Sequence, residues 1–407
     1  MSKDKTLTAS TDDRGAMLER ERNRKLTSSP HTFVRGNTVR FYEWLSDSTA
    51  PRIPDGPPVW ICGDCHLGNL GPVVSAEGDV RIHIRDLDHT VVANPSFDII
   101  RLALSLASWA RGSNLPGVTT ARMLESIVDG YESAFRHDFD EMADNPEPPD
   151  AVRAALRASH RRTWKSLANE RLKNTKPYIP LGAKFWPVSV DEREAIESVF
   201  AEPSITEIAT MIESREEGAT VETIDAAYWK KGCSSLGLLR YGVLLGVSDH
   251  DASSADLSLM DVKQAVASAA PAANGVNVPA DHALRVVEGA RRISPFLGER
   301  MRAARLLDTP VFIRELLPQD LTLALETTTT DEALKVSAYL ATVVGFAHAR
   351  QMDSSSRVTW LHELSQHRSK DLMAPSWLWN SVVGLLVDHE RAYLEHCRRY
   401  ARDIVSP

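Results

Sequence analysis

The chain has 407 residues, of which 43% are hydrophobic and 25% are charged, and its 47 basic and 55 acidic side chains give a net charge of −8. This composition is ordinary for a globular protein and excludes collagen-like and wholly disordered chains. At roughly 150 residues per domain, the length predicts two or three domains or one large bilobal unit. Because the charge balance gives no sign of a basic face, no nucleic-acid partner is expected.

The four cysteines, Cys62, Cys65, Cys233 and Cys397, are too few to staple a chain of this size and fit a reducing compartment. The polar N-terminus lacks the apolar segment of a secretory signal, and no apolar run approaches the ~18 residues of a membrane span. We therefore expect a soluble, cytoplasmic protein with no membrane partner.

Hydrophobic periodicity predicts that the first half of the chain is rich in helices and contains two short strands. The predicted helices cover about 14–25, 39–45, 99–110, 119–142, 150–172 and 191–214. The strands are Val59–Cys62 and Val80–Ile84, with a loop at 63–71 between them. A second loop, rich in proline and glycine, covers 176–190.

Strands dominate the segment at about 228–318, and helices follow it. The predicted strands are Ser235–Leu245, Leu257–Ala265 and Val311–Leu317, and the predicted helices cover 281–292, 331–350 and 376–402. A polar hairpin loop at 248–255 joins the first two strands. Segregated helices and antiparallel strands of this kind predict the α+β class.

The stretch Cys62-Gly63-Asp64-Cys65-His66-Leu67-Gly68-Asn69 carries the strongest chemical pattern, and Asp86 and Asp88 follow the next strand. Magnesium takes hard oxygen ligands, commonly one or two carboxylates completed by phosphates and water. Phosphoryl transfer to a hydroxyl also needs a carboxylate that orients the acceptor and receives its proton. A loop with an aspartate and an asparagine, followed by a strand that ends in aspartates, supplies both functions.

These residues resemble a known family. The Gly63–Asn69 loop looks like the catalytic loop of aminoglycoside phosphotransferases and related small-molecule kinases, and Arg85-Asp86-Leu87-Asp88 is similar to their metal-binding strand end. More closely, the chain resembles the bacterial domain of unknown function 2252, which is grouped with protein-kinase-like folds. The resemblance implies that Asp64 is the catalytic base, that Asn69 and Asp86 are magnesium ligands with Asp88 as a further one, and that Asp98 braces the loop.

The strand-rich segment offers a nucleotide-binding pattern. Gly232-Cys-Ser234-Ser-Leu-Gly237 is a glycine-rich loop in which Ser234 takes the place of the middle glycine. Backbone N–H groups of such loops approach phosphates closely. Lys263, on the following strand, resembles the phosphate-binding lysine of kinases, and Glu288 is then its expected helix partner. The other interpretations of these features are a hairpin bend, a solvated lysine and a solvated helix face.

In ordinary kinases the glycine loop precedes the catalytic loop, whereas here the order is reversed. Both interpretations together predict a circularly permuted, kinase-like bilobal fold, with a helix-rich large lobe and a small antiparallel-sheet lobe. Residues 1–225 are then the N-terminal segment and catalytic-loop part of the helical lobe, 226–320 the ATP-binding sheet lobe, and 321–407 helices that complete the helical lobe.

The favoured function is an ATP- and magnesium-dependent phosphotransferase that phosphorylates a hydroxyl of a small molecule, with a protein or peptide acceptor left open. Two other functions stay open: nucleotidyl (AMP) transfer on the same fold, and a nucleotide-binding pseudokinase or regulatory module. Cys62-x-x-Cys65 also permits redox chemistry or, with His66, a zinc site. An acidic cluster at Asp138, Asp140 and Glu141 is either an acceptor contact or a solvated helix end.

Overall fold

The structure is a computed structural model that describes residues 14–113, 115–136, 146–160, 178–211, 215, 219–233, 235–248, 256–317, 329–366 and 374–405. Within these ranges no helix is long and apolar enough to cross a lipid bilayer. Helices are combined with antiparallel sheets, which confirms the predicted α+β class.

The helices of the first half are α1 (Arg14–Leu26), α2 (Pro30–Arg35), α3 (Thr38–Leu45), α4 (Ser96–Arg111), α5 (Gly117–Ser133) and α6 (Asp150–His160). Helix α2 begins where the Ser29 hydroxyl accepts a hydrogen bond from the Thr32 backbone N–H (3.1 Å). Pro30 occupies the first helical position, where a missing N–H costs nothing. The proline therefore opens a helix.

Two small sheets bring two loops together. Strand β1 (Val59–Ile61) pairs with β4 (Val91–Ala93), and β2 (Leu70–Val74) pairs with β3 (Val80–Ile84). Ile61 lies opposite Val91, and Leu70 lies opposite Ile84. The loop from β1 to β2 therefore begins beside the end of the loop from β3 to β4 and ends beside its start. This arrangement brings residues 62–69 and 85–90 together.

The large sheet has six strands in the order β5-β6-β7-β8-β10-β9. These are β5 (Phe185–Trp186), β6 (Thr220–Trp229), β7 (Arg240–Ser248), β8 (Asp256–Gln264), β9 (Met301–Leu306) and β10 (Thr309–Glu315). Helices α7 (Val190–Phe200) and α8 (Pro203–Thr206) share an apolar core with it. Helix α9 (His282–Ile293) follows β8 and packs on β9 and β10, and the short α10 (Pro295–Gly298) leads into β9.

The last helices are α11 (Thr330–Ala349), α12 (Ser354–Gln366) and α13 (Ser376–Val405). Helices α5 and α11 pack closely because each carries a glycine at the contact. A Cβ on Gly130 would lie 2.2 Å from the Ala338 carbonyl oxygen, and one on Gly345 would lie 2.7 Å from that of Tyr131. This packing fixes the end of α11, where His348 is fully buried beside α4.

Most predicted elements are confirmed, with shifts of a few residues at their ends. The predicted helix at 191–214 is not continuous, because it ends at Phe200 and Pro203 starts the short helix α8, which a 3-10 turn at Glu207–Thr210 follows. Strands β2, β4, β6 and β9 and helices α2, α10 and α12 were not predicted, and β5 lies within the predicted loop at 176–190. The far ends of the helices predicted at 119–142 and 150–172, and most of the hairpin loop at 248–255, lie outside the described residues.

Candidate active site

The loop that follows β1 is shaped by a glycine. Gly63 has a φ of 74°, and a Cβ there would lie 2.1 Å from the His89 carbonyl oxygen. Only glycine combines this backbone conformation with so close an approach. The chain then enters a short 3-10 helix, Leu67–Asn69, which leads directly into β2. We call residues 62–69 the catalytic loop.

Asp98, in the first turn of α4, fixes the start of the catalytic loop. Its carboxylate accepts hydrogen bonds from the backbone N–H groups of Cys62 (2.7 Å) and Gly63 (3.0 Å). His348 Nε2 also donates to it (3.2 Å), and His348 Nδ1 lies 2.9 Å from the Tyr131 hydroxyl. The predicted brace is therefore confirmed, and helices α4, α5 and α11 all support it.

Asp64 is buried, and its side chain is held by an arginine from α4. Arg101 Nε donates to Asp64 Oδ1 (2.8 Å), and Arg101 Nη2 donates to the Val34 carbonyl oxygen (2.8 Å). Burial alone would raise the pKa of Asp64, but the charge and the hydrogen bond of the Arg101 guanidinium hold it below its ordinary value. Asp64 is therefore an ionised carboxylate at neutral pH, as a base or an acceptor-orienting group must be.

His66 lies between Asp64 and the rest of the loop. Its Nδ1 accepts a hydrogen bond from the Gly68 backbone N–H (3.1 Å), so the neutral ring carries its proton on Nε2, 3.8 Å from Asp64 Oδ2. Burial lowers the pKa of His66 to about 3, against the opposing field of Asp64. The ring is therefore neutral at pH 7 and acts as a loop-bracing residue.

Asn69 connects the two gathered loops. Its side-chain Nδ2 donates to the Asp64 carbonyl oxygen (2.9 Å), and its own carbonyl oxygen accepts from the Arg85 backbone N–H (2.7 Å). With the amide nitrogen used as a donor, the amide oxygen is the atom that Asn69 can offer to a cation. This links Asn69 to the segment that carries Asp86 and Asp88.

Asp86 and Asp88 share one lysine from the large sheet. Lys263 Nζ lies 3.4 Å from Asp86 Oδ1 and also contacts Asp88 Oδ2. Desolvation opposes ionisation, but Lys263, with Arg314 and Arg240, holds the pKa of Asp86 well below its ordinary value. Burial and the neighbouring Asp86 charge raise the pKa of Asp88. The structure thus brings the three predicted residues into one charged cluster, whose oxygen donors fit a hard divalent cation.

The predicted partnership between Lys263 and Glu288 is wrong. Glu288 is exposed on α9 and forms no hydrogen bond or ion pair with any residue that the structure describes. The inward face of α9 carries Arg285 instead, whose Nη2 donates to the carbonyl oxygens of Asp88 and Val266 (2.8 Å each). Helix α9 therefore holds the aspartate-bearing loop through its backbone, and the carboxylates for Lys263 come from that loop.

The glycine loop joins β6 to β7. Gly232 and Gly237 have φ values of 103° and 105°, a conformation that favours glycine. Lys25 Nζ donates to the Gly232 carbonyl oxygen (3.1 Å), and Cys233 Sγ would lie 3.1 Å from a Cβ on Gly36. The loop thus lies against the end of α2. Ser234, the residue that departs from the glycine pattern, lies outside the described residues, as do Asp138, Asp140 and Glu141.

Sequence reasoning missed Arg101 and the arginine pair around Asp261. Arg240 Nε donates to Asp261 Oδ1 (2.8 Å), and Arg314 Nη2 lies 3.4 Å from Asp261 Oδ2. A charged residue within an apolar run, such as Arg101 in α4, could have indicated a buried ion pair, because charged residues are buried only when they are paired.

The two cysteines of the catalytic loop form a compact group with Asp98. One candidate ligand atom from each of Cys62, Cys65 and Asp98 lies within 4.8 Å of the others. Asp98 is already occupied by the brace, and burial raises the pKa of the Cys62 thiol well above its ordinary value. Reactive and metal-bound cysteines have lowered pKa values. The group is therefore suited to packing, and His66 is not part of it.

Taken together, the fold and the site describe an α+β protein in which the loop that carries an arginine-backed aspartate packs beside the loop whose two aspartates contact a lysine. Residues 14–399 match the family described as an uncharacterized protein conserved in bacteria (DUF2252), and the chain belongs to this family. No curated protein and no solved structure matches the chain.

Proposed function

We propose that the protein is an ATP- and magnesium-dependent phosphotransferase with a kinase-like fold, and that its acceptor is a hydroxyl of a small molecule. The observation that carries this proposal is the juxtaposition of an ionised, arginine-backed Asp64 with the Lys263, Asp86 and Asp88 cluster. Phosphoryl transfer needs a carboxylate for the acceptor and a cation-binding and phosphate-binding group opposite it.

The order of elements in the large sheet supports a kinase-like small lobe. Strand β6, the glycine loop, β7, β8 with Lys263, and helix α9 follow one another along the chain. Protein kinases carry their glycine-rich loop, their third-strand lysine and the following helix in the same order. Because these elements come after the catalytic loop, the proposed fold is circularly permuted, with its two lobes interleaved along the chain.

Each group then has one role. Lys263 and the backbone N–H groups between Gly232 and Gly237 bind the phosphates. Asn69 and Asp86 would hold magnesium, with Asp88 as a further oxygen donor, and Asp64 would orient the acceptor hydroxyl and receive its proton. Lys263 would give up its contact with Asp86 to bind phosphate. Arg285 takes over from Glu288 as the residue through which α9 positions this cluster.

Nucleotide binding tests the proposal without knowledge of the acceptor. Affinity for ATP is measured by calorimetry with and without magnesium, in the wild type, Asp86→Asn and the control Asp79→Asn. Asp79 is an exposed aspartate in the β2–β3 hairpin. We expect magnesium to strengthen binding in the wild type and in Asp79→Asn but not in Asp86→Asn. A wild-type protein that binds no nucleotide in either condition contradicts the proposal.

The reaction type is tested by the mass of the product. Incubation with ATP, magnesium and a small-molecule extract should add about 80 Da to the acceptor for each phosphoryl group transferred. An addition of about 329 Da would instead identify transfer of AMP, the alternative function. Nucleotide binding without any product on small molecules, peptides or proteins would identify a regulatory module.

A further inference from the structure

Arg35, the last residue of α2, lies flat on the catalytic loop. A Cβ on Gly68 would be 2.6 Å from Arg35 Nη2, 2.7 Å from Cζ and 3.0 Å from Nε. Three atoms of one planar group at nearly equal distance mean that the guanidinium stacks on the backbone of Gly68. Any larger side chain at position 68 would displace it. The glycine of the loop therefore has a specific purpose, which is to admit this arginine.

The Arg35 guanidinium has no hydrogen-bond acceptor or acidic partner among the residues that the structure describes. Its Nε is buried without a partner. Arg101 provides the contrast, because it donates to both the Asp64 carboxylate and the Val34 carbonyl oxygen. A partly buried cation without an anion is unfavourable, and such groups are normally paired. Arg35 is thus built into the loop but lacks the anion that its charge requires.

The position of α2 sets where that anion must lie. Gly36, the next residue, packs against Cys233 of the glycine loop, while Arg35 packs against Gly68 of the catalytic loop. Arg35 and Gly36 are consecutive residues, so Arg35 lies where the catalytic loop and the glycine loop approach each other. Its contact at Gly68 is one residue from Asn69 along the catalytic loop.

We propose that Arg35 contacts the phosphoryl group while it is transferred. This inference rests on the proposed function and adds a contact to it. The acceptor oxygen forms a bond to the γ-phosphorus as the bond from that phosphorus to the bridging oxygen breaks. The electron pair of the broken bond stays on the β-phosphate of ADP, and the acceptor proton goes to Asp64. Negative charge on the equatorial oxygens is balanced by two N–H donors of Arg35.

The experiment compares a ground-state ligand with a transition-state mimic. Affinities for magnesium–ADP and for magnesium–ADP with aluminium fluoride, a planar phosphoryl mimic, are measured by calorimetry in the wild type, Arg35→Ala and Arg35→Lys. We expect Arg35→Ala to change the ADP affinity less than about threefold and to weaken the mimic about 100-fold or more. Arg35→Lys should recover little, because an ammonium lacks the planar pair of donors.

Three further measurements separate a phosphoryl contact from a structural role. Added guanidinium should restore part of the mimic affinity to Arg35→Ala, which a merely structural role would not allow. Gly68→Ala, which displaces the side chain without removing it, should weaken the mimic as well. Arg24→Ala is the matched control, since the Arg24 side chain is 60% exposed and pairs with Glu21. It should leave both affinities unchanged.

The outcomes distinguish this inference from the function on which it rests. A wild type that binds neither ligand overturns the proposed function and the inference with it. A wild type that binds both, with Arg35→Ala binding the mimic equally well, overturns only the role of Arg35. If Arg35→Ala does not fold, Arg35→Lys and Gly68→Ala decide by the same criterion.

Discussion

The catalytic loop and the glycine loop are held in opposite ways. The catalytic loop is buried and receives side chains from α3 and α4: Asp98 accepts from two of its backbone N–H groups, and the Tyr42 hydroxyl donates to the Gly63 carbonyl oxygen (2.8 Å). In the glycine loop, Gly232 and Gly237 are exposed, and Lys25 reaches it from the surface. We call the side that holds the proposed base, with these buried contacts, the fixed side. The side with the exposed glycine loop has fewer such contacts, and we call it the adjustable side.

The charged groups on the two sides of the site also differ in how well they are paired. Asp64 and Arg101 form one buried pair with a single geometry. Lys263 instead lies between two carboxylates that repel each other, and the Asp86 side chain is 46% exposed whereas that of Lys263 is 4% exposed. A second cation beside Asp86 would relieve that repulsion. In the proposed function, the preorganised Asp64–Arg101 pair would serve the chemical step, and the unbalanced charge around Lys263 would favour binding of a metal and a phosphate.

The largest effect is expected at the fixed aspartate. Asp64→Asn keeps the shape of the side chain but removes the proton acceptor, so turnover should fall about 1000-fold or more while nucleotide affinity stays within about threefold. Single-turnover transfer to the acceptor and calorimetry of ATP binding measure the two quantities. Full turnover in Asp64→Asn would remove this residue from the chemistry and leave the rigid loop without its proposed purpose.

The brace should carry much of the stability of the fixed side. Asp98→Asn replaces a fully buried carboxylate that accepts from Cys62, Gly63 and His348, so the free energy of unfolding should fall by about 3 kcal/mol or more. Urea denaturation followed by circular dichroism measures the loss. Asp353→Asn, which alters an exposed aspartate that accepts from the Ser356 backbone N–H, should cost far less. Equal losses in both variants would contradict the importance of the brace.

The fixed side should also be sensitive to acid. Burial and the Arg101 charge lower the pKa of His389 on α13 from 6.5 to about 4. His389 therefore takes up a proton near pH 6.5 in the unfolded chain but only near pH 4 in the folded protein. Its contribution to the free energy of unfolding is fully present above pH 6.5 and decreases as the pH falls. Between pH 7 and 5 His389 should cost on the order of 2 kcal/mol.

Urea denaturation at pH 7 and pH 5 measures that loss, and His389→Gln is the matched variant. The difference in unfolding free energy between the two pH values should be smaller in His389→Gln by the stated amount. Other buried histidines, such as His83, contribute equally to the wild type and the variant. An unchanged difference would mean that His389 is already charged in the folded protein.

How much of this could be predicted depended on sequence distance. The catalytic loop, its aspartate and its asparagine lie within eight residues, so their spacing and the resemblance to kinase loops indicated them. Strands β7, β8 and β10 are apolar runs and were predicted, whereas β9 exposes Arg305 and has only its end residues buried, which hides its periodicity. Arg101 and Asp64 lie 37 residues apart, and Lys263 and Asp86 lie 177 apart. Such pairs depend on how β1–β4, α4 and the large sheet pack, which residue spacing does not encode.

The smallest effect is expected at Glu288. Its substitution tests which groups balance the charge of Lys263 on the adjustable side. If Lys263 is balanced only by Asp86 and Asp88, Glu288→Gln should change nucleotide affinity less than twofold and unfolding free energy by less than about 0.5 kcal/mol, as for other surface substitutions. Arg285→Met, which removes donors to the Asp88 and Val266 carbonyl oxygens, should weaken magnesium-dependent binding because the aspartate loop loses its backbone support. A large loss in Glu288→Gln would mean that α9 turns this carboxylate toward Lys263 when the nucleotide binds, and the adjustable side would then include the whole helix.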